Sequence, residues 1–295
     1  MTREDISFAS GGDECRAWLW RGTGPLVVMG HGLGAVREMG LDRYAERFNA
    51  AGMSVLAFTY RHFGDSGGEP RQLLDIGRQL DDWAAALRFG RSLEGVDGVA
   101  IWGSSFGGGH VIEVAARDGA VAAVVSQCPF TDGIASMRVV NAVGAALGAV
   151  LAARDEVAGR LGRPPVMIAL VGPPGTAALM AAPDSEPGYR ALIPDELRFD
   201  DRVAARIVNR IPFYRPGRAA ARVQCPILFC VCDTDTLAPA STTIEHAAKA
   251  PLGEVKRYPI GHFDIYQGEW FEQAVADQTE FLVRALGMAG QSSSS

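Results

Sequence analysis

The chain has 295 residues, 48% of them hydrophobic, which is enough for a sizeable core in one large α/β domain or in two small ones. A formal net charge of −6, with no Lys/Arg cluster, argues against a nucleic-acid-binding surface. The most apolar stretch, residues 139–153, is shorter than the roughly 20 residues that span a bilayer, so it predicts a packed helix and no membrane partner.

The N-terminus and the cysteines indicate an intracellular protein. Residues 1–5 lead directly into strand-like sequence without the apolar segment of a secretion signal. The five cysteines form neither a C-x-x-C pair nor a zinc pattern, and Cys230 and Cys232 lie two apart on a predicted strand as small apolar fillers. We therefore expect a cytoplasmic protein with reduced thiols.

Strands and helices alternate through most of the chain. Residues 6–9 and 15–21 predict an opening antiparallel hairpin. Apolar runs typical of buried strands follow at 25–30, 54–60, 99–102, 121–127, 226–232 and 254–258. Helical patterns lie at 38–51, 73–92, 110–117, 241–250 and 270–286. This order predicts an α/β fold with a mostly parallel, doubly wound sheet of about eight strands.

The alternation breaks between residues 133 and 221. This block holds an Ala-rich helix, a Pro/Gly-rich segment and a helical run at 199–210, without clear strands. Its change in composition predicts a helical cap inserted into the α/β unit. The predicted organisation is therefore a core at 1–132 and 222–290, a helical cap at 133–221, and a flexible tail at 291–295.

The segment Gly103-Ser104-Ser105-Phe106-Gly107 lies between a predicted strand and a predicted helix. In that setting, glycines two residues either side of a serine allow the sharp turn that exposes the Ser105 hydroxyl at the carboxyl edge of the sheet. The positive end of the following helix points at the same place. Alone the pattern is weak in a chain with 35 glycines, and Ser105 could simply cap the helix.

Two later strand ends supply the other groups that a serine nucleophile requires. The hydroxyl needs a base to take its proton and an acid to orient that base. The strand at 226–232 runs into Asp233 and Asp235, and the strand at 254–258 runs into His262. The order Ser, Asp, His is the one associated with this serine motif.

On these three segments the chain resembles the α/β-hydrolase fold family over almost its whole length. Within that family it resembles serine esterases and S33 aminopeptidase-like members that carry an inserted cap. The resemblance implies a catalytic triad of Ser105, Asp235 and His262. Asp235 matches the family's acid because it begins a D-x-x-x-P segment ending at Pro239, and Gly261-His262 matches the family's base segment.

The resemblance also implies residues around the triad. The backbone N–H groups of Leu33, in the turn after His31, and of Phe106 would form the oxyanion hole. His31 is expected to orient that turn near the substrate. His62 lies in a glycine-rich turn near the predicted mouth and is a second candidate substrate contact.

Some assignments stay open at this point. Asp233 competes with Asp235 as the acid, although it could equally bind its own turn. Asp132 is a less favoured candidate for the acid than Asp235 and is better explained as a turn residue before the predicted cap. The arginines at 138, 154, 206 and 210 in the predicted cap suggest contact with a substrate carboxylate, as in a half-ester.

The resemblance implies a serine hydrolase that cleaves carboxylic esters of small to medium apolar substrates through an acyl-enzyme. No metal or organic cofactor is needed, the expected partner is a small-molecule ester, and a homodimer is possible. Aminopeptidase, amidase or thioesterase activity is the alternative on the same triad. Glu186, Asp195 and Glu196 are the candidates to bind a peptide amino terminus. A hypothesis from a different functional class is that the protein is a catalytically silent α/β-hydrolase relative that binds a ligand.

Overall fold

A computed structural model describes residues 2–137 and 142–288. Its strands are β1 (Arg3–Ser10), β2 (Asp13–Trp20), β3 (Leu26–Gly30), β4 (Ser54–Phe58), β5 (Val99–Ser104), β6 (Ala123–Gln127), β7 (Met167–Val171), β8 (Ala178–Met180), β9 (Arg202–Ala204), β10 (Ile227–Cys232) and β11 (Gly253–Tyr258). Its α-helices are α1 (Leu41–Ala50), α2 (Ile76–Arg91), α3 (Phe106–Arg117), α4 (Gly133–Met137), α5 (Ala142–Arg160), α6 (Ser185–Arg190), α7 (Ala240–Ala247) and α8 (Gly268–Ala285).

The main sheet has eight strands in the order β1-β2-β4-β3-β5-β6-β10-β11. The β1–β2 hairpin is antiparallel, as is the pairing of β2 with β4, and the pairs from β4 to β11 are parallel. Strands β3, β4, β5, β6 and β10 are buried along their whole length, which is why they occur in the sequence as continuous apolar runs. The predicted mostly parallel α/β sheet is confirmed.

Helices cover both faces of this sheet. On one face Trp83 of α2 and Val111 of α3 are fully buried in the apolar core. On the other face Phe48 of α1 and Leu282 of α8 are fully buried, and Cys230 and Cys232 fill space among apolar neighbours as expected. Burial of each large apolar side chain stabilises the fold by roughly 1.5–3 kcal/mol, so both helical layers hold the sheet in place.

The segment between β6 and β10 contains strands, which corrects the prediction of a purely helical cap. A second sheet has the order β8-β7-β9. The helical run expected at 199–210 is instead strand β9 followed by a 3-10 helix, Ala205–Asn209. Strand β9 pairs antiparallel with β7, and this pairing satisfies its backbone hydrogen-bonding groups. The apolar pattern at 199–210 is too short for its periodicity to distinguish a strand from a helix.

Helix α5 is packed on one face only. Gly144, Gly148, Ala152 and Asp155 are among its buried residues, whereas Val150 is 59% exposed. The prediction of a packed helix at 139–153 therefore holds for the inner face of the described part, and residues 139–141 lie outside the described residues. In 2–137 and 142–288 no helix combines the length and apolar content needed to cross a membrane. The predicted tail, 291–295, also lies outside the described residues.

Candidate active site

The turn between β5 and α3 places Ser105 at the carboxyl edge of the main sheet. Ser105 has φ 55° and ψ −115°, a conformation that residues other than glycine rarely adopt. A Cβ on Gly103 would lie 2.2 Å from the Gly107 carbonyl oxygen, and one on Gly107 would lie 2.5 Å from the His31 carbonyl oxygen. The two glycines are therefore required by close backbone approach, while the strained backbone angle falls on the serine itself.

The structure brings the three predicted side chains into one hydrogen-bonded chain. His262 Nε2 lies 3.0 Å from Ser105 Oγ, and His262 Nδ1 lies 2.6 Å from Asp235 Oδ2. The other carboxylate oxygen of Asp235 accepts the backbone N–H groups of Leu237 and Ala238 at 2.8 and 2.7 Å. Those two bonds fix the carboxylate, which in turn orients the imidazole so that Nε2 faces the serine hydroxyl.

Neither of the other candidate acids contacts His262. Asp233 forms an ion pair with Arg257, with 2.8 Å between Oδ1 and Nε. Asp132 accepts two backbone N–H groups at the start of α4 and pairs with Arg215 at 2.7 Å, as expected of a turn residue. The D-x-x-x-P spacing between Asp235 and Pro239 therefore selects the aspartate that the structure places beside His262.

Two backbone segments border the Ser105 hydroxyl. Phe106 is the first residue of α3, where N–H groups have no acceptor within the helix. The turn at 31–33 packs against the serine so closely that a Cβ on Gly32 would lie 3.1 Å from Ser105 Cβ. Leu33 and Phe106 both line the cavity next to Ser105, so their assignment as oxyanion donors stays a prediction compatible with this arrangement.

His31 is an internal part of the oxyanion turn. Its Nδ1–H donates to the Gly32 carbonyl at 3.1 Å, and its Nε2 accepts the Tyr60 N–H at 3.5 Å. Burial lowers the pKa of His31 to about 3, so the ring is neutral at neutral pH. These bonds support the expected orienting role, and His31 also borders a small cavity beside Ser105.

The structure gives no support to a substrate contact for His62. The ring is 1% exposed, with Nδ1 at 3.0 Å from the Pro70 carbonyl and Nε2 at 3.1 Å from Arg78. It is not among the described residues that line the cavities next to Ser105. His62 has a left-handed φ of 72°, and its ring bonds to groups inside the protein, so the substrate contact stays a prediction that this geometry does not favour.

Tyr189 is a site residue that the sequence did not reveal. From helix α6 of the inserted segment, its hydroxyl donates to the Leu33 carbonyl at 3.2 Å. It thereby ties the insertion to the turn that carries a predicted oxyanion donor. The inserted segment around Tyr189 shows no clear hydrophobic periodicity, so the sequence offers no signal for this contact.

An apolar cavity of about 110 Å³ opens beside Ser105. Most of its wall comes from the inserted segment, with the described residues Ser136, Met137, Gly144, Ala145, Gly148, Ile168, Ala178, Leu179, Met180, Ala181, Ala182, Val208 and Ile211. The core contributes mainly Leu33, Phe106, Phe130 and Leu237. Such a wall suits an apolar ligand group placed next to a reactive hydroxyl.

The described cavity wall does not support a substrate-carboxylate contact for Arg154, Arg206 or Arg210. No arginine is among its described residues. Arg206 is held by Asp155 at 2.7 Å and Arg210 by Glu156 at 3.0 Å, while Arg154 lies by a shallow depression elsewhere on the surface. Arg138 lies outside the described residues. In the described ranges, no group of three or more His, Cys, Asp and Glu side chains is arranged to hold a metal ion.

The comparisons with known proteins agree with this geometry. The family model described as serine aminopeptidase, S33, matches residues 22–265. The chain belongs to the serine aminopeptidase S33 family. It is 51% identical over 288 residues to the quorum-quenching protein AidA of Acinetobacter baumannii, covering 96% of this chain and 95% of that protein. A thiohydrolase of Eupenicillium brefeldianum is 26% identical, over 95% of this chain and 94% of its own.

The crystal structure of the α/β hydrolase GrgF from Penicillium superposes with a TM-score of 0.83 at 22% identity, covering 98% of this chain and 100% of that one. This S33 family member is thus an α/β-hydrolase, as its sheet order indicates. None of the described residues that line the apolar cavity beside Ser105 is acidic. Glu186 pairs instead with Arg190 at 3.1 Å.

Proposed function

We propose that this protein hydrolyses carboxylic ester bonds of small to medium apolar substrates through Ser105, His262 and Asp235. As Ser105 Oγ attacks the ester carbonyl, His262 Nε2 takes the hydroxyl proton. The tetrahedral intermediate expels the alcohol, which receives that proton from His262 and leaves an acyl-enzyme. His262 then takes a proton from water as the water attacks the acyl group; the bond between the acyl carbon and Ser105 Oγ breaks, Oγ receives that proton from His262, and the acid is released.

The proposed oxyanion donors are the backbone N–H groups of Leu33 and Phe106. Each donor of this kind stabilises the transition state by about 3 kcal/mol, because it is already aimed at the place where negative charge develops. The N-terminus of α3 adds partial positive charge at the same point. Asp235 keeps the His262 tautomer with its proton on Nδ1 and stabilises the imidazolium that forms during each step.

A single observation carries this proposal. The hydrogen-bonded chain from Ser105 Oγ through His262 to Asp235 ends at the wall of an apolar cavity. That combination supports an acyl group held in the cavity with its carbonyl at the serine. The absence of acidic residues from the described cavity wall favours esters over peptides with a free amino terminus.

Thioester hydrolysis is the second candidate activity. The same acyl-enzyme chemistry cleaves a thioester, and one full-length relative is named a thiohydrolase. The likeness to AidA further leads us to propose quorum quenching as the biological setting. A quorum-sensing reporter culture should lose its signal when the purified protein is added and keep it when Ser105→Ala is added; equal signals with both would contradict this setting.

The test of ester hydrolysis is a series of p-nitrophenyl esters from acetate to decanoate, measured with the wild type and with Ser105→Ala. We expect turnover by the wild type, a clear optimum of chain length, and loss of turnover in the variant to the background rate. Turnover that survives Ser105→Ala would refute the assignment of the nucleophile. A wild type that is inactive on every oxygen ester but active on the matching thioesters would favour the second candidate.

A further inference from the structure

One polar side chain in the wall of the apolar cavity beside Ser105 has no hydrogen-bond partner among the described residues. The polar side chains of the wall are those of Ser105, Ser136, Thr236 and His262. Ser105 and His262 bond to each other, and the Thr236 hydroxyl donates to Asp184 at 2.7 Å. Ser136 is 8% exposed, and its Oγ is buried without a partner. Ser136 is therefore the wall residue with an unused polar atom, and in the present rotamer that atom has almost no surface open to the cavity.

The position of Ser136 is fixed by its surroundings. It lies on helix α4, whose first N–H groups are accepted by Asp132, and Asp132 is itself held by Arg215. Gly133 packs so tightly that a Cβ there would lie 1.9 Å from the Ile211 carbonyl oxygen. The backbone of Ser136 donates to the Asp132 carbonyl at 3.0 Å. Only rotation about χ1 remains, and a rotation between staggered positions is what would turn the hydroxyl towards the cavity.

A plain alkyl chain would leave this hydroxyl unsatisfied. Buried polar groups in native proteins are nearly always hydrogen-bonded, and one that is not requires an explanation. The neighbouring wall residues Met137, Gly148 and Ile211 offer apolar side chains or none. A ligand oxygen in the cavity would supply the missing partner, because a serine hydroxyl both donates and accepts.

We propose that the apolar cavity beside Ser105 is built for an acyl chain that carries its own carbonyl or hydroxyl oxygen, which pairs with Ser136 Oγ. The inference rests on the proposed function for the assignment of the cavity to the acyl group. It goes further by naming the chemical class of that group and the residue that selects it. Sites built to bond a polar group discriminate against analogues that lack it, since the site's own group is then left unpaired.

The test compares ethyl octanoate with ethyl octanoates that carry one oxo or hydroxyl group at successive chain positions. For the wild type we expect kcat/KM to be about tenfold higher for at least one oxygenated chain than for the plain chain, the size expected of one neutral hydrogen bond. In Ser136→Ala that ratio should fall to near one.

Gly148→Ala is the matched control within the same wall. A Cβ there would meet Ile168 Cδ1 at 3.6 Å, an ordinary contact, so the variant should fold. The added methyl group narrows the cavity without touching the hydroxyl. It should lower kcat/KM for plain and oxygenated octanoates alike and leave their ratio as in the wild type.

Binding separates this inference from the proposed hydrolysis. In the Ser105→Ala background, calorimetry should give about tenfold tighter binding of the preferred oxygenated ester than of plain octanoate, and Ser136→Ala should remove the difference. If this difference in binding is found but the wild type hydrolyses none of the esters, the proposed function is refuted and the oxygen site at Ser136 stands. Equal binding of all chains, or a preference that survives Ser136→Ala, would overturn the oxygen site even if the esters are hydrolysed.

Discussion

At the scale of the residue, Ser105 is held in a conformation that it would not adopt on its own. Backbone angles of this kind cost roughly 1–3 kcal/mol and persist only where the surroundings enforce them. Here the Ser105 N–H donates to the Gln127 carbonyl at 2.9 Å, and its carbonyl accepts the N–H groups of Gly109 and Phe130. The neighbouring strand β6 and helix α3 thus hold the hydroxyl in position before any substrate arrives.

The two aspartates after β10 should behave differently on substitution. Asp235→Asn should lower kcat by about 10⁴-fold, because an amide favours the wrong tautomer of His262, the proposed base. Asp233→Asn should keep most of the activity, because that carboxylate pairs with Arg257 on the surface. Steady-state kinetics of both variants on one ester checks the assignment, and the opposite ranking would show that Asp233 is the acid.

The arrangement of Ser105, Asp235 and His262 could be predicted from the sequence because Ser105 and Asp235 follow buried strands, β5 and β10, that are easily recognised, whereas His262 follows the largely exposed strand β11. The serine motif, the proline after Asp235 and the glycine before His262 fix the register at each strand end. His62 and Tyr189 could not be placed in the same way. Their contacts depend on a left-handed backbone angle and on the docking of the inserted segment, and neither leaves a periodic trace in the sequence.

At the scale of the element, Asp155 is the polar anchor of helix α5. Its carboxylate accepts the Val166 N–H, the Arg206 N–H and two bonds from the Arg206 guanidinium, all at 2.7–3.0 Å. Burial alone would raise the pKa of Asp155, but these hydrogen bonds outweigh it and the pKa is lowered. The ionised carboxylate therefore joins α5 to the loop before β7 and to the 3-10 helix after β9.

Asp155→Asn should weaken the inserted segment. Removal of one partner from a buried pair leaves the other charge uncompensated, so we expect a loss of about 3 kcal/mol in the free energy of unfolding. Urea denaturation checks this value, with Asp200→Asn as the control because its partner Arg202 is largely exposed. Equal, small effects of both substitutions would contradict the role of Asp155 as an anchor.

The core elements were predictable and the inserted ones were not, for a physical reason. Strands such as β5 and β10 are buried on both faces, so every residue in them is apolar or small. Strands β8 and β9 have three residues each, which is too short to show a period. Helix α3 begins at Phe106 instead of at the predicted residue 110, since the packing of Gly107 and Gly108 against backbone overrides the low helix propensity of glycine.

At the scale of the whole molecule, two buried histidines link folding to pH. Burial lowers the pKa of both His31 and His110 to about 3. His110 is held by Tyr214 from the inserted segment and by Gln79 from α2, so its neutral form joins three parts of the chain. Between the ordinary histidine pKa of about 6.5 and this lowered value, the unfolded chain binds protons that the folded one does not.

The free energy of unfolding should therefore fall as the pH drops from 6 to 4. Each of the two histidines contributes a slope of about 1.4 kcal/mol per pH unit in this range. His110→Gln removes one of the two groups, so the difference in slope between wild type and variant should be close to that value. Urea denaturation at a series of pH values measures it, and identical slopes would show that His110 is not held neutral in the folded protein.

The measurement that tests the account most directly is fluorophosphonate labelling of the folded protein, followed by intact-mass and peptide mass spectrometry. The probe reacts with a serine only where a base and oxyanion donors activate it. We predict a single adduct on Ser105, which is absent from Ser105→Ala and strongly reduced in His262→Ala. A folded wild type that acquires no adduct, or one whose adduct lies elsewhere, would contradict the assignment and favour a binding protein without catalysis.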